Sequence, residues 1–196
     1  MKKTDSIFDL ISENGYLFTK DVIHKEITNS LLKEFSKRYG LERVAHGIYI
    51  TSETFLDKYY IISEKNKRAV FSLESSLYLN NLMEHEPDFI TVTIPRGYNA
   101  THLRKNNINV ISKEKEIYES GITFLNTNMG NPVRTYDIDR SICEMIKYKN
   151  KFDIQVFTYA LKEYSKREDK NLNNLIVYSK LLKVEKNVRN YIEVLM

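Results

Sequence analysis

Two carboxylates stand one residue apart in Asp137-Ile138-Asp139. After a strand, that spacing can hold a divalent metal for nucleotidyl or glycosyl transfer. No Gly-Ser loop precedes the pair, as nucleotidyl transfer requires, and a helix is expected to follow, so an N-cap role for Asp139 is the simpler reading. Pro87-Asp88 before a strand could open a metal-dependent nuclease site. The Glu168-Asp169-Lys170 needed to complete it lies in a charged connector between helices. Glu74, in Phe71-Ser72-Leu73-Glu74-Ser75, reads as a solvated helix residue. The four histidines (His24, His46, His85, His102) share no metal-ligand spacing. The lone cysteine, Cys143, sits at helical spacing and reads as a buried small hydrophobe. None of the six glycines forms a phosphate-binding loop. No cofactor, no metal and no catalytic activity are therefore expected. A metal-dependent nucleic-acid enzyme using Asp88, Asp137 or Asp139 is the alternative.

Hydrogen-bonding and cationic residues are arranged more suggestively near the N-terminus. Taking 100° per residue from Asn29, the residues Asn29, Ser30, Lys33 and Lys37 fall within about 100° of arc. Leu31, Leu32, Phe35 and Tyr39 occupy the arc from about 200° to 300°. A helix so divided can pack its back on other helices and turn amides, hydroxyls and cations toward base edges and phosphates. Its start is set by Thr28 as N-cap and its stop by Gly40. Two shorter helices are expected before it. The first carries Ile7, Phe8, Leu10 and Ile11 and ends at Asn14-Gly15. The second runs from Lys20 to about Lys25, capped by Thr19, with Val22 and Ile23 inward. Two short strands follow, Leu41–Val44 and Ile48–Ile50, around a turn at Ala45-His46-Gly47, which puts Arg43 and His46 at or near its tip. Three helices and a hairpin within fifty residues predict a winged helix-turn-helix over residues 1–52.

A connection with partly helical character, ending in the charged run Glu64–Arg68, is expected over 53–68, and a mixed α+β domain over 69–196. That domain begins with a helix over Ala69–Leu79. Its strands are Phe89–Ile94, Asn109–Ile111, Gly121–Leu125 and Val133–Tyr136, followed by a helix over Arg140–Tyr148. Three further helices carry Phe152–Ser165, the stripe Leu172, Leu175, Ile176 and Leu182, and the stripe Val188, Tyr191, Ile192 and Leu195. The fold class is thus α+β: an N-terminal winged helix-turn-helix, then a mixed domain with a helical C-terminal end. The net charge of +4 is modest, and the excess lies at the C-terminal end, where residues 133–196 carry 13 Lys and Arg against 9 Asp and Glu. Lys147, Lys149, Lys151, Lys166, Arg167 and Lys170 are candidates for a second basic surface. Ile7-Phe8-Asp9-Leu10-Ile11 is too short and too charged for a secretory core, and no apolar run is long enough to span a bilayer, so a cytoplasmic protein without membrane contact is expected.

Several stretches together resemble the AbiEi-type antitoxins of bacterial abortive-infection, type IV toxin–antitoxin systems. They are Leu41–Tyr49, Ile90–Asn99, Val133–Cys143, Asp169–Asn173 and Val188–Tyr191, spread over essentially the whole chain. At the turn position, often arginine in that family, this chain has His46. The resemblance implies a functionally paired nucleotidyltransferase-like toxin whose effect the protein counters. It also implies autoregulation through inverted repeats in double-stranded promoter DNA, and a C-terminal domain associated with antitoxicity. The residue-level reading adds the DNA-facing set Asn29, Ser30, Lys33, Lys37, Arg43 and His46. A protein-interaction adaptor without DNA affinity is a third reading.

Overall fold

The structure, a computed structural model, describes residues 5–25 and 27–195. Among these it is mixed α+β, with eleven α-helices and two sheets. No helix among them is long and apolar enough to cross a membrane. The described residues form two compact units, one of residues 5–25, 27–64 and Thr127–Asn131, the other of residues 65–126 and 132–195.

The first unit opens with α1 (Asp5–Phe8), β1 (Tyr16–Phe18), α2 (Thr19–His24) and α3 (Asn29–Arg38), followed by β2 (Glu42–Ala45), β3 (Ile48–Ile50) and α4 (Lys58–Lys65, whose last residue begins the second unit). The first helix is shorter than the apolar stripe predicts: after Phe8 the chain turns through Leu10 and Ile11. Strand β1 was not expected. It pairs antiparallel with β3, matching Leu17 to Tyr49, in a three-stranded sheet ordered β1-β3-β2. Its three residues are all buried, so they lack the alternation by which a half-buried strand is recognised.

The connection expected over 53–68, with its partly helical character, contains α4 and packs into the first unit. Asp57 is buried at 3% exposure and its Oδ1 accepts from the Tyr60 N–H, starting α4, whose Tyr60 and Ile61 pack against Tyr16, Phe18, Ile48 and Ile50. The other Asp57 oxygen accepts from Thr127 Oγ1 at 2.5 Å and Asn131 Nδ2 at 2.9 Å, which ties the Thr127–Asn131 segment into this unit. A buried carboxylate survives only when it is hydrogen-bonded in this way.

The second unit holds β4 (Val70–Phe71), α5 (Glu74–Leu79), β5 (Thr91–Pro95), α6 (Thr101–Lys105), β6 (Asn109–Lys113), α7 (Lys115–Glu119), β7 (Ile122–Asn126), β8 (Pro132–Tyr136), α8 (Ile138–Lys147), α9 (Ile154–Lys166), α10 (Leu172–Leu181) and α11 (Glu185–Leu195). The sheet order is β6-β5-β4-β8-β7, with β4 antiparallel to β5 and parallel to β8. The single helix expected over Ala69–Leu79 is instead β4 followed by α5. Val70 and Phe71 complete the sheet between β5 and β8, and tertiary pairing outweighs the helical spacing of Val70, Leu73 and Leu77. Helices α9, α10 and α11 form where expected, but of the α10 stripe Leu172 is exposed and Leu182 is the residue after the helix; the Leu195 side chain lies outside the described residues.

Helix α8 is buried from Ile138 to Ile146. Ile142, Met145 and Ile146 join α9, α10 and α11 in the main core, as does Cys143, whose thiol burial pushes up and which donates to the Leu175 carbonyl. The helix also encloses an ion pair with no exposure at either side chain, Arg140 Nη2 to Glu144 Oε1 at 3.1 Å. Arg140 donates further to the Ile117 carbonyl and lies 4.8 Å from the Tyr136 ring centre. Burial pushes Glu144 up, while Arg140, Lys113 and the Leu73 backbone N–H pull it back. Removing one partner strands the other charge. Arg140→Met is therefore expected to cost about 3–5 kcal/mol in urea unfolding, and Arg140→Met with Glu144→Leu to recover most of that loss.

Candidate nucleic-acid interface

Helix α3 starts where Thr28 Oγ1 accepts from the Leu31 N–H, and Gly40 at φ +67° follows its end. Leu32 and Phe35 are buried among Ile7, Leu17, Val22 and Ile27. Ser36 is buried with them, its hydroxyl returned to the Leu32 carbonyl, so the inward face is wider than the apolar residues alone predict. Tyr39, expected inward, is 41% exposed and packs edge to face on exposed Phe8 and against the buried Phe35 ring. Asn29, Ser30, Lys33 and Lys37 are all exposed, and their spacing places them on one face. Glu34 is exposed beside them and dilutes the positive charge.

The hairpin forms beside these helices within the same unit. Its strands pair Arg43 with Tyr49 and Ala45 with Ile48, a register shift that leaves Val44 as an extra residue and sharpens the local twist. Gly47 at φ +77° makes the turn. Its carbonyl accepts from the Thr19 N–H at 2.9 Å and from the Thr19 hydroxyl at 3.3 Å. Thr19 is thus inside α2 rather than its cap. The N-cap residue is Phe18, and Thr19's side chain is spent on the hairpin. Ile23, expected inward, is 61% exposed, while Val22 one residue earlier is buried. Arg43 and His46 are exposed and joined, Nη2 to Nδ1, at 2.9 Å. A guanidinium has only donors, so His46 Nδ1 accepts and the ring proton sits on Nε2. The tip therefore presents N–H donors from both residues.

The six C-terminal cations do not make one surface. Lys147, Lys149 and Lys151 lie just before α9 and Lys166, Arg167 and Lys170 at or beyond its end, about 20 Å apart along a thirteen-residue helix. Most are held within the chain. Lys147 donates to the Leu182 carbonyl, Lys166 pairs with Glu163, Arg167 grips both oxygens of Asp169, and Lys170 donates to the Ser165 and Arg167 carbonyls. Helix-end carbonyls and nearby carboxylates capture cations in this manner. Lys149 and Lys151 are exposed, Lys151 over the Tyr148 ring.

The Asp137-Ile138-Asp139 pair lines a polar cleft of about 360 Å³ with Asn80, Arg167, Asp169 and Asn171. The cap of α8 is Asp137, not Asp139. Asp137 Oδ1 accepts from the Arg140 N–H and its Oδ2 from Tyr178 Oη, both at 2.8 Å. Asp139 Oδ1 accepts from Tyr164 Oη at 2.8 Å and the Asn171 N–H at 3.0 Å. Burial pushes both carboxyls above the ordinary aspartate range, and the hydrogen bonds offset part of that rise. Tyr164, Tyr178 and Asn171 were missed as partners because they lie on helices or connectors distant in sequence. Asp88, exposed in the loop before β5, is not among the lining residues. No three His, Cys, Asp or Glu among the described residues are grouped to hold a metal ion.

A Cβ at position 47 would stand 2.7 Å from Thr19 Oγ1 at a φ that favours glycine. Gly47→Ala is expected to lower stability by about 1–3 kcal/mol in chemical denaturation.

Neither a model of a known protein family nor a curated protein matches the sequence. The fold is similar to that in the crystal structure of the RV2827C protein from Mycobacterium tuberculosis, with a TM-score of 0.61 at 10% sequence identity, over 95% of this chain and 78% of that one.

Proposed function

We propose that the first unit is a winged helix-turn-helix and that the protein is a DNA-binding repressor of its own operon which also acts as an AbiEi-type antitoxin in the cytoplasm. One observation carries the DNA half: Asn29, Ser30, Lys33 and Lys37 are exposed on one face of α3, in the unit whose hairpin tip carries Arg43 and His46. The element order supports it too, since a strand between the first two helices joins the hairpin as its third strand. In this reading α3 enters the major groove of an inverted repeat, with Asn29 and Ser30 leading and the lysines on phosphates.

The antitoxin half rests on the resemblance, two of whose stretches, Val133–Cys143 and Asp169–Asn173, meet in the fold through the hydrogen bond from Asn171 to Asp139. The partner in this reading is a nucleotidyltransferase-like toxin. The non-enzymatic reading is favoured over a metal-dependent nucleic-acid enzyme because Asp137 and Asp139 already accept hydrogen bonds within the fold.

The test of the DNA half is fluorescence-anisotropy binding to the operator across salt concentrations. Lys33→Ala with Lys37→Ala is expected to weaken binding and lower the slope of log K against log salt by about 2, with circular dichroism unchanged. An unchanged slope would move the DNA face away from α3.

A further inference from the structure

Along α9, Ile154, Thr158 and Lys162 follow one another at i, i+4 and i+8, spanning about 12 Å. These three residues line two separate concavities. One, of about 560 Å³, has Phe157, Leu161 and Tyr191 at its apolar floor and Lys149, Asn187 and Asn190 around it. The other, of about 320 Å³, adds Gln155 and Tyr159. The row is therefore a ridge with a groove on either side. Such a surface receives the ridges of another helix, whose own i, i+4 rows would fill both grooves while Ile154 enters the space between them. The fold leaves this row uncovered: Ile154 is 72% exposed although it heads a row whose neighbours Phe157 and Leu161 are buried. Phe157 and Tyr191 meet edge to face, 5.4 Å between ring centres, and give the larger groove an aromatic floor.

The charged residues that line the larger groove are both cations. Lys149 and Lys162 are exposed, and no carboxylate is among the lining residues. The smaller groove is more mixed, with Glu84 and Glu163 beside its Tyr159. Glu163, next in sequence to Lys162, is paired with Lys166. An occupant with an apolar stripe and flanking carboxylates matches this surface in shape and charge, whereas a basic or wholly apolar helix does not.

We propose that the α9–α11 groove is a docking site for an acidic amphipathic helix of a partner protein, anchored on Ile154, Phe157, Leu161 and Tyr191 and oriented by Lys149 and Lys162. This deepens the partner half of the proposed function and rests on it only for the existence of a protein partner.

The test uses the full chain and a synthetic probe, so it reads the groove without involving any toxin. The probe is an N-capped helical peptide of about five turns, with leucines at i, i+3, i+4 and i+7 flanked by glutamates. Its control carries lysines in place of the glutamates. The expected result is binding of the glutamate peptide, with NMR shifts centred on Ile154, Phe157, Leu161 and Tyr191. Ile154→Glu, at an exposed position, is expected to weaken binding at least about tenfold without changing operator affinity. Lys149→Glu with Lys162→Glu is expected to reverse the preference toward the lysine peptide. Equal binding of both peptides, or shifts centred elsewhere, would overturn the proposal. So would self-association of the free chain abolished by Ile154→Glu, which would make a second copy the occupant. Rescue of growth from a co-expressed toxin reads the antitoxin function separately, and its failure would leave the peptide result standing.

Discussion

The three residues Tyr16, Leu17 and Phe18, hydrogen-bonded to Ile48–Ile50, hold the first unit together. A two-stranded hairpin in water is marginal by itself. This third strand supplies backbone partners for β3 and inserts side chains into both flanking cores. Leu17 faces Ile7, Val22, Ile27, Leu32 and Phe35, while Tyr16 and Phe18 face Ile48, Ile50 and the first turns of α4. Burying such side chains contributes about 1.5–3 kcal/mol each. The strand also sets geometry. It runs directly into α2, and at the junction Thr19 donates twice to Gly47, so the hairpin tip and the helices are referenced to the same few atoms. The tip is held to α2 by that junction, and α3 is held by Leu32 and Phe35 packing on the same core as Leu17.

The second unit is organised differently, around a helix that is buried on nearly every side. Alpha-helix α8 turns apolar residues toward α9, α10 and α11, and carries a charged pair, Arg140 and Glu144, in its interior. Two tyrosines from the surrounding helices reach back to its first turn, Tyr178 to Asp137 and Tyr164 to Asp139. The Asp137–Asp139 pair, whose spacing could hold a metal but which reads more simply as a helix cap, anchors the helical end of the chain. Hydrogen bonds of this kind, made to charged groups away from bulk water, contribute more than neutral ones and also fix orientation.

Much of this was legible beforehand where a periodicity survives intact. The alternation in Phe89–Ile94 locates β5 to within two residues, Gly47 locates the hairpin turn, and the stripes after Phe152 locate the last three helices. The exposed face of α3 follows from 100° per residue alone. What escaped was set by tertiary pairing. Strands β1 and β4 are two or three residues long and buried, so neither carries a strand signature. Val22 and Ile23 are equally apolar, and only the packing on Leu17 and Leu32 decides which one is inward. The Arg43–His46 contact and the register shift at Val44 lie at the same tip, and composition encodes neither. The six C-terminal cations, candidates for a second basic surface, fall into two groups on either side of a thirteen-residue helix, and local acceptors hold most of them.

The central claim is sequence-specific DNA recognition by the first unit. Its most direct measurement is binding of the full chain to the DNA immediately upstream of its own reading frame, against shuffled DNA of the same composition, at several salt concentrations. The account predicts a preference of roughly a thousandfold or more for the upstream DNA, together with a steep salt dependence. Equal and weak binding to both would contradict it and leave the helices and hairpin of the first unit as a scaffold for protein contacts.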